Sequence, residues 1–264
     1  MHAGQICALV LAALFALAAG LVGCFALMKR MLLASDVISH LALPGLGIAF
    51  LLRLNPLMGG AVTLLLGTVL VWKLEGTTGL ATEASIGVVF AAALAIGAAV
   101  TPHKDLVEAL FGEFQKLSVG GFLLGLVAVG LVITGVFFLK DRLVLSLFSP
   151  DLAAVTGVKV ERLDLYFLLL FSIVVLAGLR FMGALLSSAL IILPAASARQ
   201  LTGNMANFLW VSPFLSLLAV SIGYAFATAI LKTSTVGPPV VIASALIFAG
   251  IVLKQRRSGR KLLS

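Results

Sequence analysis

The chain is written almost entirely as apolar runs of bilayer-spanning length, joined by short connections. The runs lie at 5–28, 31–52, 56–72, 83–101, 119–139, 164–181, 183–198, 204–230 and 236–253. Each approaches or exceeds the roughly 20 residues that a membrane-crossing helix needs. In hydrocarbon every backbone polar group must be satisfied inside its own segment, so such runs fold as helices. The expected fold is an all-α polytopic membrane protein with about nine transmembrane helices, eight to ten in all. Only residues 179–183 separate the sixth run from the seventh. Of 264 residues, 62% are hydrophobic and 11% charged, and mean hydropathy is +1.23. A soluble domain is about 45–50% apolar and about 25% charged. A soluble globule, a disordered chain and a disulfide scaffold are therefore excluded. The whole of 1–264 reads as one transmembrane domain.

Charge sets the expected orientation. The 18 Lys and Arg exceed the 10 Asp and Glu, a net charge of +8. In a membrane chain this excess reads as topology, not as nucleic-acid binding. With nine spans the two ends face opposite sides. Five basic residues (Arg53, Lys104, Lys116, Arg180, Lys232) then share one side, and the other 13 share the opposite side. Basic residues near helix ends favour the cytoplasm. The N-terminus is therefore expected outside, and the tail KQRRSGRK inside. No Lys or Arg precedes the first run, which argues against a signal peptide. Two longer polar connections, 102–118 outside and 140–163 inside, are where partners could be touched. Cys7 and Cys24 form no CxxC and read as core packing. Gly121 and Gly125 make a GxxxG pair, suited to close helix packing within the chain or to a dimer face.

There is no GxxxxGK[ST] phosphate loop and no HExxH, and no nucleophile–base pattern emerges, so enzymatic readings are weak. The informative segment is MLLASDVISHLALPGLGIAF, residues 31–50. Asp36 and His40 stand four apart and share a helix face. An ionisable residue in hydrocarbon costs at least about 2.5–3.5 kcal/mol on insertion scales, so it normally faces the bundle interior or a water path. A carboxylate and an imidazole on one face make half a site for a divalent transition metal. Pro44 lacks an N–H, which is expected to free the carbonyl of His40 to line a cavity. The alternative is that Asp36 pairs with Lys29 or Arg30 and His40 is a core histidine.

The motif Ser-Asp-Val-Ile-Ser-His-Leu-Ala-Leu-Pro-Gly (35–45), after Lys29-Arg30, resembles a signature of the metal-import permeases of ATP-binding cassette (ABC) transporters. Further matches follow in order. Glu83-Ala-Ser-Ile-Gly87 resembles a helix start of that family, and Leu110-Phe-Gly-Glu113 its external turn. The segment Ser149-Pro150-Asp151-Leu152-Ala153-Ala154-Val155-Thr156-Gly157 resembles its cytoplasmic Asp-x-x-x-Ala-x-x-x-Gly element, with Ser149 where the family often has Asp, and 183–199 its Gly-x-Leu-Leu…Pro-Ala stretch. One departure is Ser35, where the family usually has Gly.

The resemblance implies a type II ABC importer-like bundle and one permease domain over 1–264. Its function would be to pass zinc, manganese or iron across the plasma membrane. A second permease subunit, separate ATP-binding subunits and an extracellular or periplasmic metal-binding protein are the implied partners, besides membrane lipid. No cofactor would be permanently bound, and ATP hydrolysis would sit on another chain. Asp36 and His40 match positions associated with the metal path, and Glu83 is either a helix-start carboxylate or a third path residue. Residues 151–157, with an Asp at the start and a Gly at the end, read as a short helix outside the membrane that docks the ATPase. Arg53, Lys104 and Lys116 are candidates for meeting an acidic carrier surface. His103, Asp105, Glu108 and Glu113 are a solvated loop or a transient metal-capture surface.

Three other functions compete. A chelate or corrinoid permease has a wide path and needs no intramembrane Asp/His pair. An ion-coupled secondary transporter predicts repeats with paired broken helices, whereas mid-helix prolines are read only at Pro44 and Pro194. An intramembrane enzyme lacks a catalytic constellation.

Overall fold

The apolar runs become helices, several of which extend beyond the runs themselves. The computed structural model describes residues 3–100, 119–182, 184–231 and 236–257. In chain order the helices are α1 (Ala3–Met28), α2 (Ala34–Ser39), a 3-10 turn (His40–Ala42), α3 (Leu43–Leu51), α4 (Pro56–Thr78) and α5 (Thr82–Val100). They continue as α6 (Val119–Phe148), α7 (Pro150–Val155), α8 (Val160–Met182), α9 (Ala184–Leu201), α10 (Met205–Phe226), a π-helical turn (Ala227–Leu231) and α11 (Gly237–Arg257). There is no strand among the described residues. Eight segments are long and apolar enough to span, and the apolar stretch Leu186–Leu201 of α9 is a shorter ninth.

Three expectations need correction. Residues 140–163 are not one loop: α6 continues to Phe148 and α8 begins at Val160. The sustained apolar run stops at Leu139, but no Gly or Pro interrupts the helix before Ser149-Pro150, so the hydrogen-bond ladder runs on to Phe148. The second run is not a single helix from 31. It starts at Ala34 and is broken at the 3-10 turn. Mid-helix prolines are also not confined to two runs, because Pro213 lies inside α10. There it forms part of the α1 contact: a Cβ on Gly20 would come within 2.6 Å of the Pro213 Cα, and the Ser212 hydroxyl donates to the Gly20 carbonyl at 2.8 Å.

Helix α1 is the hub, packed against α6, α8, α9 and α10. Burial covers 67% of its membrane window, 56% of α2–α3 and of α8, but only 22% of α4, α5, α6 and α11. Phe15 and Phe25 of α1, Phe167 and Phe171 of α8 and Phe208 of α10 are fully buried. Lipid is as apolar as a leucine core, so close packing and hydrogen bonds hold the helices together. The Thr68 and Ser172 hydroxyls, 2.6 Å apart, join α4 to α8 inside the bundle. Gly45 of α3 and Gly59 of α4 meet backbone to backbone, where a Cβ on Gly45 would fall 2.0 Å from the Gly59 carbonyl oxygen. Of the GxxxG pair on α6, Gly125 is buried and Gly121 half-buried.

Candidate functional site

The broken second run lies inside the bundle. Helix α2 packs against α5, α8 and α9, and α3 packs against α4 and α5. The six residues of α2 bury Ala34, Ser35, Ile38 and Ser39, leaving Asp36 half-buried. His40, one turn on, is also half-buried, and its ring lies 5.7 Å from that of Phe90 on α5, centroid to centroid. The serine hydroxyls fold back onto the backbone, Ser35 to the Leu32 carbonyl and Ser39 to the Asp36 carbonyl. Neither donates to the Asp36 carboxylate. Among the described residues no side chain pairs with that carboxylate or hydrogen-bonds a His40 ring nitrogen.

The ion-pair alternative for Asp36 fails, because Lys29 is committed elsewhere. Its ammonium binds the Asp164 carboxylate at the start of α8 and lies 5.4 Å from the Phe167 ring centroid. Arg30 is exposed, with a left-handed φ of 59°. The expected free carbonyl at His40 is also corrected. The chain tightens into the 3-10 turn, and the Leu43 N–H donates to the His40 carbonyl. A 3-10 bond joins residues three apart, so the N–H that Pro44 lacks is not needed.

Glu83 sits exposed in the first turn of α5. That is seven residues from Phe90, about 10 Å along the axis at about 1.5 Å per residue. Among the described residues no three His, Cys, Asp or Glu side chains converge as a metal cage. Asp36 and His40 lie four residues apart across the junction of α2 and the 3-10 turn.

Pattern reading missed a group of carboxylates near the Lys29 end. Glu75, Glu161 and Asp164 line a cavity of about 260 Å³ together with Trp72, Lys73 and Thr77. The Trp72 indole N–H donates to the Glu161 carbonyl at 2.8 Å. Glu75 accepts from the Thr82 hydroxyl at 2.7 Å through Oε1, and its buried Oε2 has no partner among the described residues. The available signal was the three-residue spacing of Glu161 and Asp164, which places them on one helix face.

The short helix outside the membrane is present as α7. Ser149 occupies its N-cap position without a side-chain cap, Pro150 opens it, and Asp151 lies in the first turn. Gly157 follows the C-cap with φ of 82°, a left-handed conformation that glycine adopts without strain. Ala153 is fully buried, whereas Leu152 and Val155 are 54% and 86% exposed. Thr156 ties back to the Leu152 and Ala153 carbonyls. Arg53 is exposed between α3 and α4. Lys104, Lys116, His103, Asp105, Glu108 and the 110–113 turn lie outside the described residues.

The order of these elements and their motifs can be set against known proteins. The family model described as "ABC 3 transport family" matches residues 3–255. The chain belongs to the ABC 3 transport family. It is 31% identical to the manganese import system permease protein ScaB of Streptococcus gordonii, over 96% of this chain and 93% of that one. It is 27% identical to the high-affinity zinc uptake system membrane protein ZnuB of Haemophilus influenzae, over 89% of this chain and 91% of that one. Among solved structures it matches PsaBC from Streptococcus pneumoniae in complex with Fab. The TM-score is 0.79 at 24% identity, over 95% of this chain and 91% of that chain. As a member of the ABC 3 family the chain is a multi-pass membrane protein of a transporter, and α1–α11 are the helices of that fold.

Proposed function

We propose that the chain is the permease subunit of an ATP-driven importer for divalent transition metal ions, with zinc, manganese and iron as the candidate cargo. One observation carries the reading: Asp36 and His40 stand one turn apart, half-buried, on the broken helix in the bundle, and no side chain among the described residues neutralises the carboxylate. Left alone at this depth, a charge is costly; a passing cation relieves that cost. Carboxylate and imidazole suit all three metals, and geometry and availability set selectivity between them. The named cargo of ScaB and ZnuB supports the same class.

The remaining machinery is supplied in trans. Two ATP-binding subunits dock on α7 and its flanks, Asp151 to Gly157. A second permease completes the path, and an external metal-binding protein delivers the ion to a surface that includes Arg53, Lys104 and Lys116. Glu83 receives the ion on the inner side or caps α5. The domain is single over 1–264, with its N-terminus outside and its C-terminus in the cytoplasm of a plasma-membrane protein.

The test is uptake of radiolabelled manganese and zinc by a strain deleted for the chain and complemented with variants. Asp36→Asn keeps the shape and removes the charge; His40→Leu keeps the volume and removes the nitrogen. Each is expected to abolish most uptake at an unchanged amount of protein in the membrane. Wild-type import by both variants sinks the reading.

A further inference from the structure

The first two turns of α8 sort charge by face. Glu161 and Asp164 face the cavity shared with α4. Lys159, Arg162 and Tyr166, all exposed, line a different, open cavity of about 340 Å³, bounded on its other side by Leu139 and exposed Arg142 of α6. No carboxylate lines this second cavity. Among the described residues Arg142, Lys159 and Arg162 have no ion pair or hydrogen bond from their side chains. Thr156, Gly157, Val158 and Leu163 complete the wall, so the cavity opens where α8 begins. There the first-turn N–H groups lack intrahelical acceptors and the helix dipole is positive. Three unpaired cations, a phenol hydroxyl and a helix N-terminus form an anion receptor.

Depth selects the anion. The apolar run 119–139 rises about 30 Å at about 1.5 Å per residue, matching the hydrocarbon thickness. Arg142 follows its end by about one turn, at headgroup level. The Lys140 ammonium lies 4.2 Å from the Phe137 ring centroid, as a basic residue does at that boundary. Leu139, in the cavity wall, is the last apolar residue of the run. Its neighbour Phe138 is 83% exposed, an apolar surface that an acyl chain would fit. A ligand with an anionic head and an apolar tail fits both halves.

We propose that Arg142, Lys159, Arg162 and Tyr166 form a binding site for the phosphate headgroup of an anionic phospholipid, whose acyl chain runs along α6 past Leu139 and Phe138. Placement in the inner leaflet rests on the orientation proposed above; the receptor chemistry does not. Its position between the end of α6 and the start of α8, with α7 between them in sequence, means that an occupied site braces the two stems carrying α7.

The test is native mass spectrometry of the full chain in detergent with equimolar phosphatidylglycerol and phosphatidylcholine. The wild type is expected to retain phosphatidylglycerol preferentially. Arg142→Gln with Arg162→Gln is expected to weaken that retention roughly thirty-fold, at about one basic residue's surface attraction each. The pair Arg142→Lys with Arg162→Lys, which keeps the charge, should retain most of it, and Lys73→Gln, which lines the acidic cavity, should leave it unchanged. The lysine pair keeps the proposal falsifiable should the glutamine pair fail to fold. Equal retention of the two lipids by the wild type overturns the proposal, as does undiminished phosphatidylglycerol on the glutamine pair. Displacement of the lipid by millimolar inorganic phosphate makes this a site for the free ion and also overturns it. So does loss of ATPase copurification with lipid retention intact, which assigns the cations to a protein partner.

Discussion

Gly45 and Gly59 show how little room single residues leave in this bundle. Each would drive an added Cβ into the other's carbonyl oxygen, at 2.0 and 2.3 Å. Backbone cannot swing aside as a flexible side chain can, so the clash must be relieved by separating α3 from α4. Gly45→Val is therefore expected to destabilise the protein by about 1–3 kcal/mol or more. A lowered thermal midpoint in detergent checks this, with Gly76→Ala as the control because nothing lies near a Cβ there. An unchanged midpoint for Gly45→Val refutes the packing argument. The same contact bears on Asp36 and His40. Helix α3 continues directly from their turn, so a displaced α3 shifts the ring that rests on Phe90. The candidate pair itself was legible in sequence because its spacing is local. Its surroundings were not: the residue that takes Lys29 is Asp164, and the ring against His40 is Phe90. Those partners are fixed by helix packing over long stretches of chain, which no short pattern records.

Among the elements, the membrane-crossing runs were readable because hydrocarbon enforces a single signal, sustained apolarity. Beyond the bilayer that signal ends while the helix does not, which is why α6 and α8 both extend into the stretch expected to be a loop. The break after Ser39 was half legible. Pro44 announced an interruption, but not that the 3-10 turn would repair its hydrogen bond. Helix α7 was foreseen from its composition and its terminal glycine. It is short and rests on buried Ala153, with Leu152 and Val155 left uncovered. Breaking it with Asp151→Gly plus Ala154→Pro is expected to abolish metal-stimulated ATPase activity and uptake while the chain still inserts. Pulldown of the ATP-binding subunits should fall by more than tenfold. Normal copurification with normal uptake would count against α7 as the docking element.

For the whole molecule, the uneven distribution of basic residues is the basis of the orientation proposed above. Reporter fusions after Gly79 and Gly157 are expected to be cytoplasmic, and a fusion at His103 external; the reverse pattern removes α7 from the ATPase side. The uneven burial of the helices has a consequence for biogenesis. Helix α1 leaves the ribosome before the other described helices, and its partners α8, α9 and α10 are synthesised more than a hundred residues later. At about 5–20 residues per second, α1 waits on the order of ten seconds with its packing face open. It can wait because Cys7–Met28 contains no charged residue and lipid accepts what the bundle later covers. Nascent chains arrested before α8 should therefore insert α1 but leave Cys24, which is fully buried in the finished fold, open to a lipid-dissolved photoactivated carbene probe. Chains arrested after α11 should protect it. Assembly is thus expected to close around α1 late, with a helix made early enclosed only after α8, α9 and α10 have inserted.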